Sequence, residues 1–239
     1  MSQNTEPDKA SFSATRVFLR GVILTLPLSI AVIPWGILAG SLAVEAGLID
    51  FQAQAVSAII FAGSVQLVGM GLIKAGASLT TLLLTTLFLT SRHLLYSATM
   101  RSRISHMPIH RRLLLGFLLT DELFAVCSHQ TRKEFNFWFA FGAGFSFYLI
   151  WQMATLGGIL LGKSIPNLDQ YGLDFAVAAT FIAKVLPTIK KLSVLITVVI
   201  ALVFSVIFSV LNIEGGIIYS SLIAMSCGYA VSIIRKEAL

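Results

Sequence analysis

The sequence predicts an all-α fold: a polytopic bundle of about seven or eight transmembrane segments with a broken first helix and a candidate internal repeat. Of 239 residues, 56% are hydrophobic and 12% are charged, about half the charged fraction of soluble domains. Apolar runs of about 20 residues, the length a helix needs to cross a bilayer, recur along the whole chain and leave no room for a separate soluble domain. The net charge of +6 reads as loop charge beside anionic lipid. No basic patch is interleaved with aromatic residues, so nucleic acid is excluded as a partner.

Residues 1–16 read as a polar cytoplasmic tail that holds Glu6 and Asp8 and lacks the pattern of a secretory signal. Residues 17–234 read as a single transmembrane domain with candidate halves 17–130 and 135–234, and 235–239 as a C-terminal tail. The first segment, Arg16–Val44, contains Pro27, Pro34, Gly36 and Gly40. Proline inside a helix removes a backbone hydrogen bond and breaks it, which at membrane depth is tolerated only in a cavity lining or against protein. The second segment, from about Gln52 to Ile73, contains Phe61-Ala62-Gly63-Ser64-Val65-Gln66. The third is Ser78–Ala98, followed by a basic linker from Arg101 to Arg112. The fourth, Leu113–His129, carries Thr120-Asp121-Glu122 in its middle. The fifth, Phe135–Leu161, is aromatic at its start and rich in glycine. The sixth, Leu173–Lys190, contains Lys184 and Pro187. The seventh and eighth, Leu192–Leu211 and Gly215–Ile234, read as scaffold.

Lysine and arginine concentrate on the cytoplasmic side of membrane proteins. With the N-terminus inside and all eight segments crossing, Lys9, Arg16, Arg20, Lys74, Arg132, Lys133, Lys190, Lys191, Arg235 and Lys236 fall inside. Glu45, Asp50, Asp169 and Glu214 fall outside. The linker, with its four arginines, then lies on the wrong side unless one of the first four segments is re-entrant. Gly36-Ile-Leu-Ala-Gly40 resembles Gly158-Ile-Leu-Leu-Gly162, and Asp50-Phe51 resembles Asp174-Phe175, which suggests two related halves of the kind that transporters use.

Polar groups inside the spans are few. Arg92 and His93 interrupt the run Leu82–Arg103. A charge at that depth is costly and faces a protein interior or a wet cavity, or else snorkels to a headgroup. An unperturbed histidine changes charge between about pH 5 and 8, so the residue type at His93 suits a proton relay; an inter-helix hydrogen bond is the alternative. Asp121 and Glu122 are adjacent carboxyls that point about 100° apart on a helix, so one would face a pocket and carry a proton while the other pairs with a group such as Arg92 or Lys184. A structural ion pair with Arg92 is the competing reading. Gly63, Ser64 and Gln66 form a small-polar interruption. Either it breaks the helix and offers N–H groups to an anion such as a carboxylate, or it permits close helix packing. Cys127 and Cys227 lie in apolar runs without a partner at ligand spacing, and no histidine or cysteine pair marks a metal site. No nucleotide or cofactor fingerprint is present, so transport would be secondary or passive.

Taken together, the proline-rich first helix, Phe61-Ala-Gly-Ser-Val-Gln66, Arg92-His93-Leu94-Leu95-Tyr96 and Leu119-Thr120-Asp121-Glu122-Leu123-Phe124 resemble the motifs of the AzlC family, the large subunit of bacterial branched-chain amino acid exporters. The specific motifs span residues 27–124. The resemblance implies a multi-pass protein of the bacterial inner membrane that exports apolar amino acids by proton antiport, without a cofactor, together with a small AzlD-type membrane subunit. Under that reading Pro27, Pro34, Gly63, Ser64, Gln66, Arg92 and Tyr96 bind substrate, while His93, Asp121 and Glu122 couple protons. One departure stands out: the family carries Asn or Asp before the Arg-His pair, and this chain has Thr90-Ser91. The rival readings are a passive channel and an intramembrane enzyme that uses His93 with Asp121.

Overall fold

The computed structural model describes residues 14–164 and 189–236, with isolated positions 175, 179, 182, 185 and 186 between them. These residues form helices without strands: α1 (Ala14–Ala31), α2 (Ile33–Glu45), α3 (Asp50–Ile60), α4 (Gly63–Lys74), α5 (Leu79–Ile104), α6 (Ile109–Phe117), α7 (Asp121–Cys127), α8 (Phe137–Ser164), α9 (Leu192–Val210) and α10 (Gly216–Ile234). Helices α1, α8, α9 and α10 are long and apolar enough to cross a membrane. The predicted sixth segment, with Lys184 and Pro187, and Asp174 of the candidate repeat lie outside the described residues. The first segment is broken as expected: Val32 separates α1 from α2, and Pro34 stands in the first turn of α2. Two compact units result. One comprises the chain up to Ile30 with His93–Trp151, the other Ala31–Arg92 with Gln152 onward.

In the second unit, α2 and the C-terminal half of α8 lie side by side through the two glycine motifs that look alike in sequence. Gly36 sits over Ala154, Gly40 against Thr155 and Ile159, Gly158 against Ile37, and Gly162 against Ser41. The contacts advance together along both helices, so the pair is parallel. Small residues permit this approach, which is how helices associate where the hydrophobic effect no longer discriminates. Beside it, α3 meets α8 through Ser57 Oγ and Thr155 Oγ1, 2.9 Å apart, and the Gln54 amide donates to Gln152 Oε1 at 2.7 Å.

Helices α3 and α4 form two short arms where the sequence predicts one long segment. Each arm spans roughly 17 Å at 1.5 Å per residue, half the hydrocarbon thickness. The backbone reverses at Phe61, and α4 returns until Lys74 Nζ meets Glu45 Oε2 at 2.7 Å. Lys74 and Glu45 therefore share one end of this unit, which corrects their assignment to opposite faces. Asp50, at the start of α3, pairs with Lys163 near the end of α8 at 2.6 Å. Both lysines at this end are thus neutralised by carboxylates.

The turn between α9 and α10 joins the same end. The Thr81 hydroxyl and the Ser78 N–H donate to Glu214 Oε1 at 2.6 and 3.2 Å. These bonds, Thr81 first, hold the Glu214 pKa below its ordinary value of 4.5. A depressed carboxyl pKa means that the clip stabilises the fold above that ordinary value and is lost as pH falls through the lower folded value. Glu214→Gln should therefore speed amide hydrogen exchange at Ser78 at neutral pH; unchanged exchange would remove the clip from the account.

In the first unit, α1 runs parallel to the N-terminal half of α8, with Gly21 against the Phe139 carbonyl and Gly142 against Phe18. Thr25 and Ser29 lie on the buried face of α1 and turn their hydroxyls back onto its own carbonyls at 3.0 Å, so the buried stripe stays smooth. Helices α6 and α7 form a second short hairpin. Arg111 lies 4.8 Å over the ring of Phe137 at the start of α8. Leu118, at the end of α6, packs against Gly144, seven residues or roughly 10 Å further along α8. The chain then turns back through α7 until the carbonyls of Ser128 and Gln130 accept from Arg103 in the last turn of α5. The predicted fourth segment therefore enters and leaves at one end of this unit, and its basic linker lies at that end with the 128–134 turn.

Candidate functional site

Each hairpin tip is non-helical backbone buried in its own unit, and each carries one of the polar motifs. At the α3–α4 tip, Phe61 adopts φ 43° and ψ 47° and Ala62 is extended. A left-handed phenylalanine is strained by about 1–3 kcal/mol and persists only where the surroundings enforce it. Phe61 and Ala62 are 5% and 8% exposed, so the break is enclosed by protein, as the membrane requires.

Alanine has no side chain able to cap a helix, and none caps α4. The N–H groups of its first turn, Gly63, Ser64 and Val65, consequently lack intrahelical partners; the first such bond runs from Gln66 N–H to the Ala62 carbonyl at 2.9 Å. Into this turn reaches Arg92 of α5, whose Nη2 donates to Ser64 Oγ at 2.8 Å. Arg92 is thereby held against the hairpin rather than extended along the helix to a headgroup. Gln66 is 4% exposed and its Oε1 is buried without a hydrogen-bond partner among the described residues. An uncapped helix N-terminus and a guanidinium favour an anion; an unpaired amide oxygen accepts a donor. Both are met by the two ends of a zwitterion.

At the α6–α7 tip, Thr120 is the N-cap of α7. Its Oγ1 accepts from the Leu123 N–H at 3.3 Å, and Asp121 and Glu122 fill the first helical turn, where negative charge is favoured. This corrects the placement of Thr120-Asp121-Glu122 in the middle of one helix. The signal was present in the sequence: a threonine followed by two acids is a helix start. Asp121 Oδ1 accepts from the Tyr96 hydroxyl at 3.1 Å. Tyr96 stacks on Phe124, ring centroids 4.3 Å apart, and His93 stands edge-on to Tyr96 at 5.8 Å. Glu122 is 7% exposed. His93, Tyr96 and Asp121 thus form one polar cluster in the first unit, with Glu122 beside Asp121 in the same turn. Gly63, Ser64, Gln66 and Arg92 form the other cluster, in the second unit.

Pro27 lies inside α1 and removes the donor to the carbonyl one turn earlier. Pro34 does the same at the α1–α2 junction; neither residue is part of the two polar clusters. Thr90 and Ser91, where this chain departs from the motif, turn their hydroxyls onto carbonyls of α5 at 2.7–3.2 Å.

The fold and the two clusters define an all-helical membrane protein with two buried helical hairpins. The chain belongs to the AzlC family, whose model, described as AzlC protein, matches residues 27–165. It is 30% identical over 197 residues to the inner membrane protein YgaZ of Escherichia coli, covering 79% of each chain. It is 31% identical over 182 residues to an uncharacterized membrane protein of Archaeoglobus fulgidus, covering 75% of this chain and 80% of that one. A Helicobacter pylori membrane protein is 28% identical over 169 residues, with 70% and 73% covered. No solved structure matches the chain significantly.

Proposed function

We propose that the protein is a secondary transporter of the bacterial inner membrane that exports branched-chain or other apolar amino acids by proton antiport, working with a small AzlD-type membrane subunit. The observation that carries the substrate class is Arg92 bonded to Ser64 at the uncapped start of α4. The first-turn N–H groups and the guanidinium receive the substrate carboxylate. Gln66 Oε1 accepts from its ammonium. Discontinuous helices whose N-termini face an anionic substrate group are a recurring transporter device.

The charge pattern supports an orientation. With both hairpins re-entrant and the N-terminus cytoplasmic, Arg101, Arg103, Arg111 and Arg112 join Arg16, Arg20, Arg132 and Lys133 inside. The lysines left outside, Lys74 and Lys163, are those paired with Glu45 and Asp50. The similar glycine motifs of α2 and α8 fit an internal repeat.

Coupling is assigned to the first unit. A carboxyl at a buried hairpin tip exchanges a proton, and a proton shifts the inward–outward equilibrium only by binding the two states unequally. Asp121, bonded to Tyr96, and the buried Glu122 are the carriers, with His93 as relay. Asp121→Asn and Glu122→Gln, made singly, should leave one variant without proton-driven export while efflux down a substrate gradient persists. Full coupling in both variants would remove these residues from the role.

The direct test is efflux of preloaded leucine, isoleucine, valine and methionine from cells that lack their own exporters, with the chain expressed alone and with a small partner. Saturable efflux that an uncoupler abolishes is the expected result. Flux that rises linearly with substrate and ignores the uncoupler would make the protein a channel.

A further inference from the structure

At the basic end of the first unit, α1 and the 128–136 turn enclose a cavity of about 670 Å³ that neither cluster uses. Arg16 and Arg20, one helical turn apart on α1, line it together with His129, Asn136, Leu24 and Phe139. Neither guanidinium has a hydrogen bond or ion pair among the described residues. The far wall is built rather than loose, because Arg103 holds the carbonyls of Ser128 and Gln130 from behind. The Asn136 amide oxygen caps the Trp138 N–H at 2.9 Å, which leaves its NH2 group as a donor. One acid, Glu134, also lines the cavity, but its carboxylate is turned onto Thr131, accepting from the N–H and hydroxyl at 2.8 Å. Two unpaired positive charges therefore stand against one carboxylate that is engaged locally.

The lining changes character with depth. Arg16 and Arg20 stand near the start of α1, and Leu24 lies one turn deeper beside exposed Leu19 and Ile23. A charged rim above an apolar wall matches an amphiphile, whereas a soluble phosphate would leave that wall unused. Gln130 also lines the cavity, and its buried Oε1 has no hydrogen-bond partner among the described residues, which offers an acceptor to a headgroup hydroxyl.

We propose that this cavity is a binding site for one anionic glycerophospholipid, its phosphate between Arg16, Arg20 and Asn136, its headgroup hydroxyl at Gln130 and an acyl chain along Leu24 and Phe139. Basic pockets between membrane helices hold such headgroups. The test uses the purified, delipidated chain in detergent, offered equal amounts of phosphatidylglycerol and phosphatidylcholine and read by native mass spectrometry. Phosphatidylglycerol adducts should exceed phosphatidylcholine adducts by at least about fivefold, the share of one arginine near a lipid phosphate. The double variant Arg16→Gln, Arg20→Gln should lose that preference at unchanged melting temperature. The double variant Arg235→Gln, Lys236→Gln, altered at the end of α10, should keep it. Equal binding of the two lipids, or a preference that survives in the Arg16, Arg20 variant, overturns the proposal. Displacement of the lipid by millimolar glycerol phosphate also overturns it, by assigning the site to a soluble phosphate.

Discussion

Replacing Arg92 by glutamine should cut amino acid efflux about 10- to 100-fold while the protein still reaches the membrane in normal amount. A hydrogen bond to a charged group contributes about 1.5–3 kcal/mol, and each 1.4 kcal/mol is about tenfold in affinity. The guanidinium is the only full positive charge placed at the first turn of α4 by the contacts described above, and Ser64 holds one of its nitrogens at 2.8 Å. Arg92→Lys keeps the charge but loses the planar fork, so it should recover only part of the activity. Ser64→Ala removes one positioning bond and should cost less, about 3- to 10-fold. Efflux is measured against leucine concentration in each variant. A loss confined to affinity would mark Arg92 as a substrate ligand, and full efflux in Arg92→Gln would remove it from the site.

The second large effect is on folding. At Gly158, a Cβ would be driven into the Ile37 carbonyl, which is backbone and cannot turn aside. Gly158→Ala should force α2 and α8 apart and cost about 1–3 kcal/mol or more, the range for overpacking a close contact. The neighbouring Gly157 has nothing within 4 Å of its would-be Cβ. Gly157→Ala should therefore be neutral or stabilising by up to about 1 kcal/mol, since alanine is the better helix former. Melting temperatures of the two single variants in detergent check the contrast. Equal melting would show that the parallel α2–α8 crossing is not a tight glycine contact.

Much of this was legible in the residues. Composition and run length gave the all-helical membrane class, and Pro27 and Pro34 marked the broken first segment. The polar interruptions at Gly63–Gln66 and Arg92–His93 pointed to places where side chains do meet something other than lipid. The hairpins were harder to see. Segment two has the length and hydropathy of a crossing helix, and nothing local distinguishes a helix that reverses at Phe61 from one that continues, because phenylalanine is a poor predictor of a left-handed turn. What reverses it is the surrounding protein, including the Lys74–Glu45 pair that is remote in sequence. The misfit of the Arg101–Arg112 linker to the charge rule was the visible trace, and a second trace was Thr120-Asp121-Glu122, readable as a capped helix start. The cavity at Arg16 and Arg20 left no trace at all, since its walls come from parts of the chain more than a hundred residues apart.

The carboxylate site at α4 stands or falls on a comparison of leucine with leucinamide, in which a neutral amide replaces the carboxylate at nearly the same shape while the ammonium and side chain are kept. Binding of each to the purified protein, alone and with the proposed small partner, would be measured by calorimetry, in the native chain and in Arg92→Gln. The proposed site predicts that leucine binds at least about tenfold tighter than leucinamide, and that Arg92→Gln erases the difference by weakening leucine alone. Equal affinity for the two compounds in the native chain, or a preference for leucine that persists without Arg92, would contradict it and place the substrate carboxylate elsewhere.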